Sequence, residues 1–328
     1  MPRSMWLRMI LFVMAAVVAD RILGLALAAG FQRIEVGETG GMVNAALRSE
    51  ADVVVVGSSR AWRHYDTDVL ARAFGRSVYN AGCDGQGPPY VRGLLDLMMR
   101  RRAPRVVIVE ADDRFLARFA GSYDHVTVLA PFLDDSPVVR DLIYRRGPLE
   151  RLKYLSSSFR YNSRILPILA NLGVKPTTQA GFAPLERTMA PAATPVGDGS
   201  PRAPSDAVRV DAEYVELLRA TLRSARTAGA RVLLAASPRW DVPGGQAAGG
   251  SSDTTAVRRL AVEEGVPYVV ISASNTPALR DPSLFADAAH LNRLGARVFT
   301  EALIEQFDRE GLVATALPPA ATRGHSGG

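Results

Sequence analysis

The stretch Asp52-Val-Val-Val-Val56 decides the fold, and Gly57-Ser58-Ser59-Arg60 follows it directly. Four consecutive β-branched residues without polar alternation indicate a strand that is buried on both faces. Strands of this kind are typical of parallel sheets that are covered by helices on both sides. Further strands in alternation with helices are therefore expected along the chain.

Short apolar runs do alternate with helical patterns on both sides of a less regular middle region. This alternation predicts an α/β fold, with a parallel sheet between two layers of helices. The predicted strands are 52–56, 77–79, 106–110, 231–235 and 268–271, and the predicted helices are 67–74, 90–101, 212–228, 253–264 and 294–307.

The middle region, 115–206, is predicted to be a helical and loop insertion that caps the sheet. Helices are expected near 148–155 and 163–172. The stretch 186–206 is rich in Pro, Ala, Gly and Ser and is expected to be a mobile loop. The chain then divides into residues 1–31, a single α/β domain over 32–316, and a tail over 317–328 that is predicted to be disordered.

The N-terminal segment is apolar and long enough to cross a bilayer. Arg3 and Arg8 precede the apolar stretch 9–19, Asp20 and Arg21 interrupt it, and a second apolar stretch covers 22–31. Positive charge before the span favours an inside N-terminus and an outside body. A transmembrane anchor is preferred. A cleaved signal peptide ending near 26–28 and a buried helix of a soluble protein remain open alternatives.

Composition excludes several classes of protein. The 328 residues carry a formal net charge of +6, but the excess is mostly scattered Arg, and the dense run 100–105 falls at a predicted helix end. No nucleic-acid-binding motif is present, so no nucleic-acid partner is expected. Cys83 is the single cysteine, which rules out an internal disulfide and a Cys-rich metal site.

Three motifs contain residues that are able to carry chemistry. Ser59 follows the buried strand near a predicted helix start, where backbone N–H groups stabilise negative charge. In Asp287-Ala-Ala-His290 the carboxylate is spaced to orient the imidazole, which then takes a proton from a serine. In the Gly-rich loop 80–87 backbone N–H groups approach a ligand closely.

Each motif also has an ordinary structural interpretation when it is taken alone. Gly-Ser is common in turns, Asp-x-x-His occurs as a cap or at the surface, and the Gly-rich loop is a structural turn in many proteins. Asn292 is best explained as the N-cap of the last helix. In parallel sheets, however, ligands bind beyond the carboxyl ends of the strands, and all three motifs are expected at that edge.

Taken in this order, the motifs resemble the SGNH (GDSL-like) hydrolase superfamily. The resemblance covers roughly 52–110 and 231–307 and implies its flavodoxin-like, three-layer fold. It implies that Ser59 is the nucleophile, with Ser58 in place of the usual Asp, and that Asp287 and His290 complete a catalytic triad. The Asn80 block matches the second family block, so the backbone N–H groups of Gly85 and Ser59 would bind the oxyanion.

One block departs from the family pattern. The third block normally contains an Asn that completes the oxyanion hole, whereas this chain has Glu110-Ala111-Asp112-Asp113. An ionised Asp has no hydrogen to donate and repels an oxyanion. Either another donor such as the Arg60 side chain replaces it, or catalysis is weak or absent. Holding a basic loop or capping a helix is the favoured interpretation of Asp112 and Asp113.

The anchored layout is also similar to bacterial D-alanyl-lipoteichoic acid transfer and alginate acetylation proteins. This similarity implies acyl transfer, or hydrolysis of an O-acetyl-type ester, on a cell-surface or exported polysaccharide. It also implies a multi-span membrane acyltransferase as partner, no cofactor, and an inner-membrane protein whose domain lies in the periplasm or outside the cell. The residues expected at the substrate rim are Arg60, Asn80, Asp112, Arg239 and Trp240.

Two rival functions stay open. A non-catalytic polysaccharide-binding or scaffold protein would keep the fold without the reaction. Asp112 in the third block and the missing Asp of the first block favour it. A soluble lipase or thioesterase is disfavoured, since no lipid-binding apolar run is evident outside the N-terminal segment.

Overall fold

A computed structural model describes residues 3–119, 122–189, 208–240, 254–273 and 275–313. The expected tail and most of the expected loop 186–206 lie outside these residues. The division of the chain into anchor, domain and tail stays a prediction.

The centre of the molecule is a five-stranded, all-parallel sheet in the order β2-β1-β3-β4-β5. Every residue of β1 is fully buried, as its unbroken valine run predicts. The α/β prediction is confirmed. The strands are β1 (Val53–Val56), β2 (Val78–Asn80), β3 (Val106–Glu110), β4 (Arg231–Ala236) and β5 (Tyr268–Val270).

Helices cover both faces of the sheet and form two apolar cores. Val54 and Val56 belong to the core on one face, whereas Val53 and Val55 belong to the core on the other. The helices are α1 (Arg3–Phe31), α2 (Gly41–Arg48), α3 (Ser59–His64), α4 (Thr67–Phe74), α5 (Pro88–Arg101), α6 (Ser122–His125), α7 (Pro137–Tyr144), α8 (Glu150–Lys153), α9 (Ile165–Asn171), α10 (Ala212–Thr227), α11 (Thr255–Glu264) and α12 (Arg293–Arg309).

Helix α2 was not predicted, because Gly37, Gly40 and Gly41 before and at its start indicate a short linker over 33–42. The structure gives Gly41 a packing role: a Cβ at this position would lie 1.8 Å from the backbone oxygen of Val36. Val43 and Leu47 then fall on one buried face of the helix. This close approach between two chain segments is not visible in the local pattern.

Helix α1 has 29 residues and is long and apolar enough to cross a membrane. A signal sequence has the same length and composition. The first part of the helix is exposed, whereas Gly24, Leu27 and Phe31 pack against the domain. The helix therefore projects from the domain and is held at its C-terminal end.

Candidate active site

Ser59 is the first residue of α3, immediately beyond the carboxyl end of β1. The turn between them requires Gly57, whose φ is 151°. A Cβ at this position would lie 2.9 Å from the Cβ of Ala61 and 3.0 Å from that of Glu110. The chain therefore turns sharply and presents Ser59 at the first turn of a helix, where backbone N–H groups have no intrahelical acceptor.

The structure brings Ser59, His290 and Asp287 into one hydrogen-bonded chain. His290 Nε2 lies 2.9 Å from Ser59 Oγ, and His290 Nδ1 lies 2.9 Å from Asp287 Oδ1. In the tautomer that suits both contacts, Nδ1–H donates to the carboxylate and Nε2 accepts from the serine hydroxyl. This is the arrangement by which a histidine removes a proton from a serine nucleophile.

Several donors hold the Asp287 carboxylate in its ionised form. Burial raises its pKa, but hydrogen bonds from the Ala289 backbone and from Arg187 outweigh burial, so the pKa lies below its ordinary value. Arg187 donates to Oδ2 at 2.5 Å, while Oδ1 accepts from the backbone N–H groups of Ala289 and His290. Asp287 therefore stays charged and available to stabilise an imidazolium.

Arg187 was missed from the sequence, since it lies in the stretch that was expected to be a loop. Its neighbours in fact run along the loop 285–292, which carries the candidate base His290 and is called the base loop. Leu185 O accepts from the N–H of Arg293, and Met189 N–H donates to Phe285 O. No local signal marks an arginine one hundred residues before its carboxylate. Only the path of the insertion brings the two together.

A cleft of about 170 Å³ opens beside Ser59. Gly85 lies in its wall with φ of 67°, and a Cβ there would come within 3.2 Å of His125 Cε1. Both predicted oxyanion donors, Ser59 and Gly85, thus border one cavity. The other residues that line it are Ser58, Arg60, Gln86, Gly87, Glu110, Asp112, Arg114, Phe115, Ala117, Phe119 and Arg239.

The floor of the cleft is a buried ion network. Arg60 is 3% exposed, and its guanidinium donates to Asp112, to Glu110 and to both oxygens of Ser237. These contacts already engage Nε and both terminal nitrogens of Arg60, which disfavours the alternative of Arg60 as the oxyanion donor. Because Arg239 also approaches Asp112, at 3.4 Å, two arginines face two carboxylates and the charges balance.

Asp112 accepts hydrogen bonds on both of its oxygens. Burial raises its pKa, but the positive charges of Arg60 and Arg239 lower it below its usual value overall. Oδ1 accepts from Phe115 N–H and Oδ2 from the arginines. Asp113 accepts from the backbone N–H groups of Ala256 and Val257 at the start of α11. The structure thus gives both residues the positioning roles that were favoured over direct catalysis.

A second histidine, His64, supports the site and was missed from the sequence. It is fully buried, and its Nδ1 lies 2.7 Å from Ser237 Oγ. Burial, followed by the positive charge of Arg60, holds its pKa well below the ordinary range, so the ring is neutral. It was passed over because it has no carboxylate at the Asp-x-x-His spacing.

Two expected rim residues lie elsewhere. Asn80 is 1% exposed, donates to Ala61 O at 2.7 Å and accepts from Gly82 N–H, so it shapes the Gly-rich loop from inside. Trp240 packs on Phe285 with 5.3 Å between the ring centroids and does not line the cleft. Of the other expected rim residues, Arg60 and Asp112 form the floor of the cleft, and Arg239 lines its wall.

Asn292 has the capping role that was preferred for it. Its side-chain oxygen accepts from Gly295 N–H at 3.0 Å in the first turn of α12. Because α12 begins three residues after His290, this cap also fixes where the base loop ends.

No protein-family model and no curated protein matches the chain. Among solved structures, a candidate acylhydrolase from Bacteroides fragilis is 12% identical over 79% of this chain and 87% of that one, with a TM-score of 0.36. A gut microbial diltiazem-metabolizing enzyme is 11% identical over 78% of this chain, with a TM-score of 0.34. The alignment covers 46% of that second protein's length.

Proposed function

We propose that the protein is a serine esterase or O-acyltransferase of the SGNH type. The observation that carries this proposal is the chain of two 2.9 Å contacts from Ser59 through His290 to Asp287. A serine hydroxyl in an ordinary turn would explain Ser59 alone. It would not explain an imidazole that is oriented by an ionised carboxylate and points at that hydroxyl.

The reaction follows from the roles of these atoms. Ser59 Oγ attacks the acyl carbonyl while His290 Nε2 takes the hydroxyl proton, and Asp287 stabilises the resulting imidazolium. The backbone N–H groups of Ser59 and Gly85 hold the oxyanion. The C–O bond to the leaving alcohol breaks as His290 returns the proton to it, which leaves the acyl group on Ser59.

The acyl-enzyme is resolved by a second attack on the same carbonyl. Either water or an acceptor hydroxyl loses its proton to His290 and displaces Ser59 Oγ, which regains that proton. Water gives a free acid, and a sugar hydroxyl gives a new ester. The small volume of the cleft supports a short acyl group, such as acetyl, over a fatty acyl chain.

The setting that we propose is extracytoplasmic. Helix α1 would anchor the chain in the bacterial inner membrane as a single span, with Arg3 and Arg8 on the inside and the domain in the periplasm or outside the cell. The substrate would be an O-acetylated cell-surface or exported polysaccharide, and a multi-span membrane acyltransferase would be the acyl-donating partner.

Reaction with a fluorophosphonate probe tests the nucleophile. The full-length chain in detergent is labelled beside Ser59→Ala and His290→Ala, with Ser58→Ala as the matched control because Ser58 borders the same cleft. We expect labelling of the wild type and of Ser58→Ala, and none of the other two. Equal labelling of Ser59→Ala would place the reactive group elsewhere.

A non-catalytic polysaccharide-binding or scaffold role is the second candidate. Asp112 favours it, because an ionised carboxylate stands where the family has a donor amide. In that case a folded wild type would fail to label, and acetylated oligosaccharide would bind equally to wild type and Ser59→Ala. Mass spectrometry of products made with and without a sugar acceptor separates transfer from hydrolysis.

A further inference from the structure

We propose that a leucine-rich surface of the insertion lies in the interfacial layer of the lipid bilayer, beside helix α1. The proposal rests on the proposed membrane anchor and goes beyond it, since it assigns a second membrane contact to the globular domain. We call this the leucine surface, and it consists of Leu149, Leu152, Leu155, Leu166, Leu169 and Leu172.

Exposed apolar side chains are concentrated in this surface. In the described part of the chain, eleven large hydrophobic residues outside α1 are exposed, and eight of them fall within 149–174. The leucines named above are 40% to 77% exposed. Singly exposed leucines are ordinary at a protein surface, but a cluster of this kind marks a contact with an apolar partner.

Polar contacts join the leucine surface to α1. The Asp20 carboxylate accepts from the backbone N–H of Ser157 at 2.7 Å and from the hydroxyls of Ser156 and Ser158 at 2.5 and 2.6 Å. Arg21 donates to the backbone oxygen of Leu155 at 3.0 Å. The interrupting charge pair is thus satisfied by the segment that carries Leu155, which lowers the penalty for placing it near lipid.

Close packing continues along the helix. A Cβ at Gly24 would lie 2.5 Å from Ser157 Cβ, and one at Gly30 would lie 3.1 Å from Ile168 Cγ2. In α9, Ile168 is buried, while its neighbours Leu166 and Leu169 are exposed. This short helix therefore has one face toward the domain and α1 and another face without a protein partner in the described residues.

The length of α1 places this surface at the depth of the bilayer. Residues 3–19 rise about 25 Å, which is shorter than the ~30 Å hydrocarbon core. The exposed apolar face continues through Ile22 and Leu25, which are 63% and 72% exposed. When lipid covers this apolar face, the membrane surface lies at the level of Asp20–Gly24. Leu155 lies at the same level, because its backbone oxygen accepts from Arg21. The partner is therefore lipid, not a soluble protein.

Depth-dependent fluorescence quenching tests this contact with the full chain in phosphatidylcholine–phosphatidylglycerol vesicles. Leu152→Cys and Leu169→Cys are each labelled with a maleimide fluorophore and exposed to doxyl-labelled lipids or to aqueous iodide. Val262→Cys is the matched control, because Val262 is 78% exposed on α11. The native Cys83 is buried, which raises its pKa to about 12, so the wild type serves as the labelling blank.

We expect doxyl lipids to quench the Leu152 and Leu169 probes several-fold more than the Val262 probe, and iodide to show the reverse order. Quenching by iodide as strong as at Val262 would overturn the proposal. Shielding from both quenchers would also overturn it, because a protein would then cover the surface. A Met14→Cys probe tests the membrane insertion of α1 alone, and fluorophosphonate labelling in the same vesicles tests the reactivity of Ser59. A failure of the leucine-surface proposal is thereby distinguished from a failure of the proposed anchor or of the proposed nucleophile.

Discussion

The backbone N–H of Leu291 donates a hydrogen bond of 3.0 Å to Nε2 of His64. His64 ends the short helix that begins with Ser59, and Leu291 directly follows His290. The contact therefore joins the nucleophile helix to the base loop across more than two hundred residues. Because Nε2 accepts, Nδ1–H donates to Ser237 Oγ, so the neutral tautomer is determined by its surroundings.

Protonation of His64 should destabilise the fold. Its pKa in the folded protein lies well below the ordinary 6.5, so the folded state binds fewer protons than the unfolded state. Stability then falls as the pH drops below 6.5, by up to ~1.4 kcal/mol per pH unit, until the folded-state pKa is reached. Thermal unfolding of the full chain in detergent, between about pH 7.5 and 5.5, measures this dependence.

The matched variant is His64→Asn, which keeps a donor near Ser237 and loses the titrating ring. We expect a lower midpoint at pH 7.5 and a shallower decline toward acid than in the wild type. Equal slopes in the two proteins would show that other groups cause the acid sensitivity.

Gly85→Ala should impair the oxyanion site more than it impairs the fold. The left-handed backbone, with φ of 67°, costs roughly 1–2 kcal/mol for alanine. The strain falls on the backbone that carries the predicted oxyanion N–H, and the new Cβ would lie 3.2 Å from His125 Cε1, so we expect a loss of roughly 10² in the fluorophosphonate labelling rate. Gly75→Ala is the control, since its φ is 59° and the space around it is open.

If the two glycine variants lose stability equally and only Gly85→Ala loses rate, Gly85 serves the oxyanion. An equal loss of rate in both variants would assign the effect to backbone strain instead.

Asp287→Asn should slow labelling of Ser59 by about 10³–10⁴, because an amide favours the wrong tautomer of His290. Arg187→Ala should slow it less than about tenfold. The Ala289 and His290 backbone N–H groups would still keep the carboxylate ionised. The labelled fraction, measured after fixed reaction times at neutral pH, compares the labelling rates of the two variants. A loss in Arg187→Ala as large as that in Asp287→Asn would make Arg187 essential for positioning the triad.

Asp112→Asn introduces the residue type of the SGNH third block but should not introduce an oxyanion donor. The amide oxygen must face Phe115 N–H, which leaves the amide nitrogen against the donors of Arg60 and Arg239. Breaking this buried pairing should cost about 3 kcal/mol and lower the unfolding midpoint by several degrees.

Glu186→Gln is the control for Asp112→Asn, because its ion pair with Arg293 is exposed and should contribute little. A faster labelling rate at unchanged stability in Asp112→Asn would refute this view of the network. It would favour a family-like oxyanion hole that the native aspartate suppresses.

Local pattern was sufficient to predict the strands and the long helices. The valine run of β1, the proline start of α5 and the Asn292 cap of α12 each act within a few residues. Helix α2 escaped prediction because the tight contact of Gly41 with Val36 comes from tertiary packing. The triad residues were named by the resemblance of three separate motifs, and the structure brings them within hydrogen-bonding distance.

The sequence by itself determined the class of fold, since hydrophobic periodicity is a local property, and its motifs predicted Ser59, Asp287 and His290 as candidate catalytic residues. The tertiary structure alone decided the supporting contacts: His64 beneath the base loop, Arg187 on Asp287, and Arg60 locked between two carboxylates. It also left six leucines that form no continuous apolar run exposed in or next to segments that contact α1. Hydrogen bonds and apolar contacts depend on proximity in space, which chain folding creates between residues that are distant in sequence.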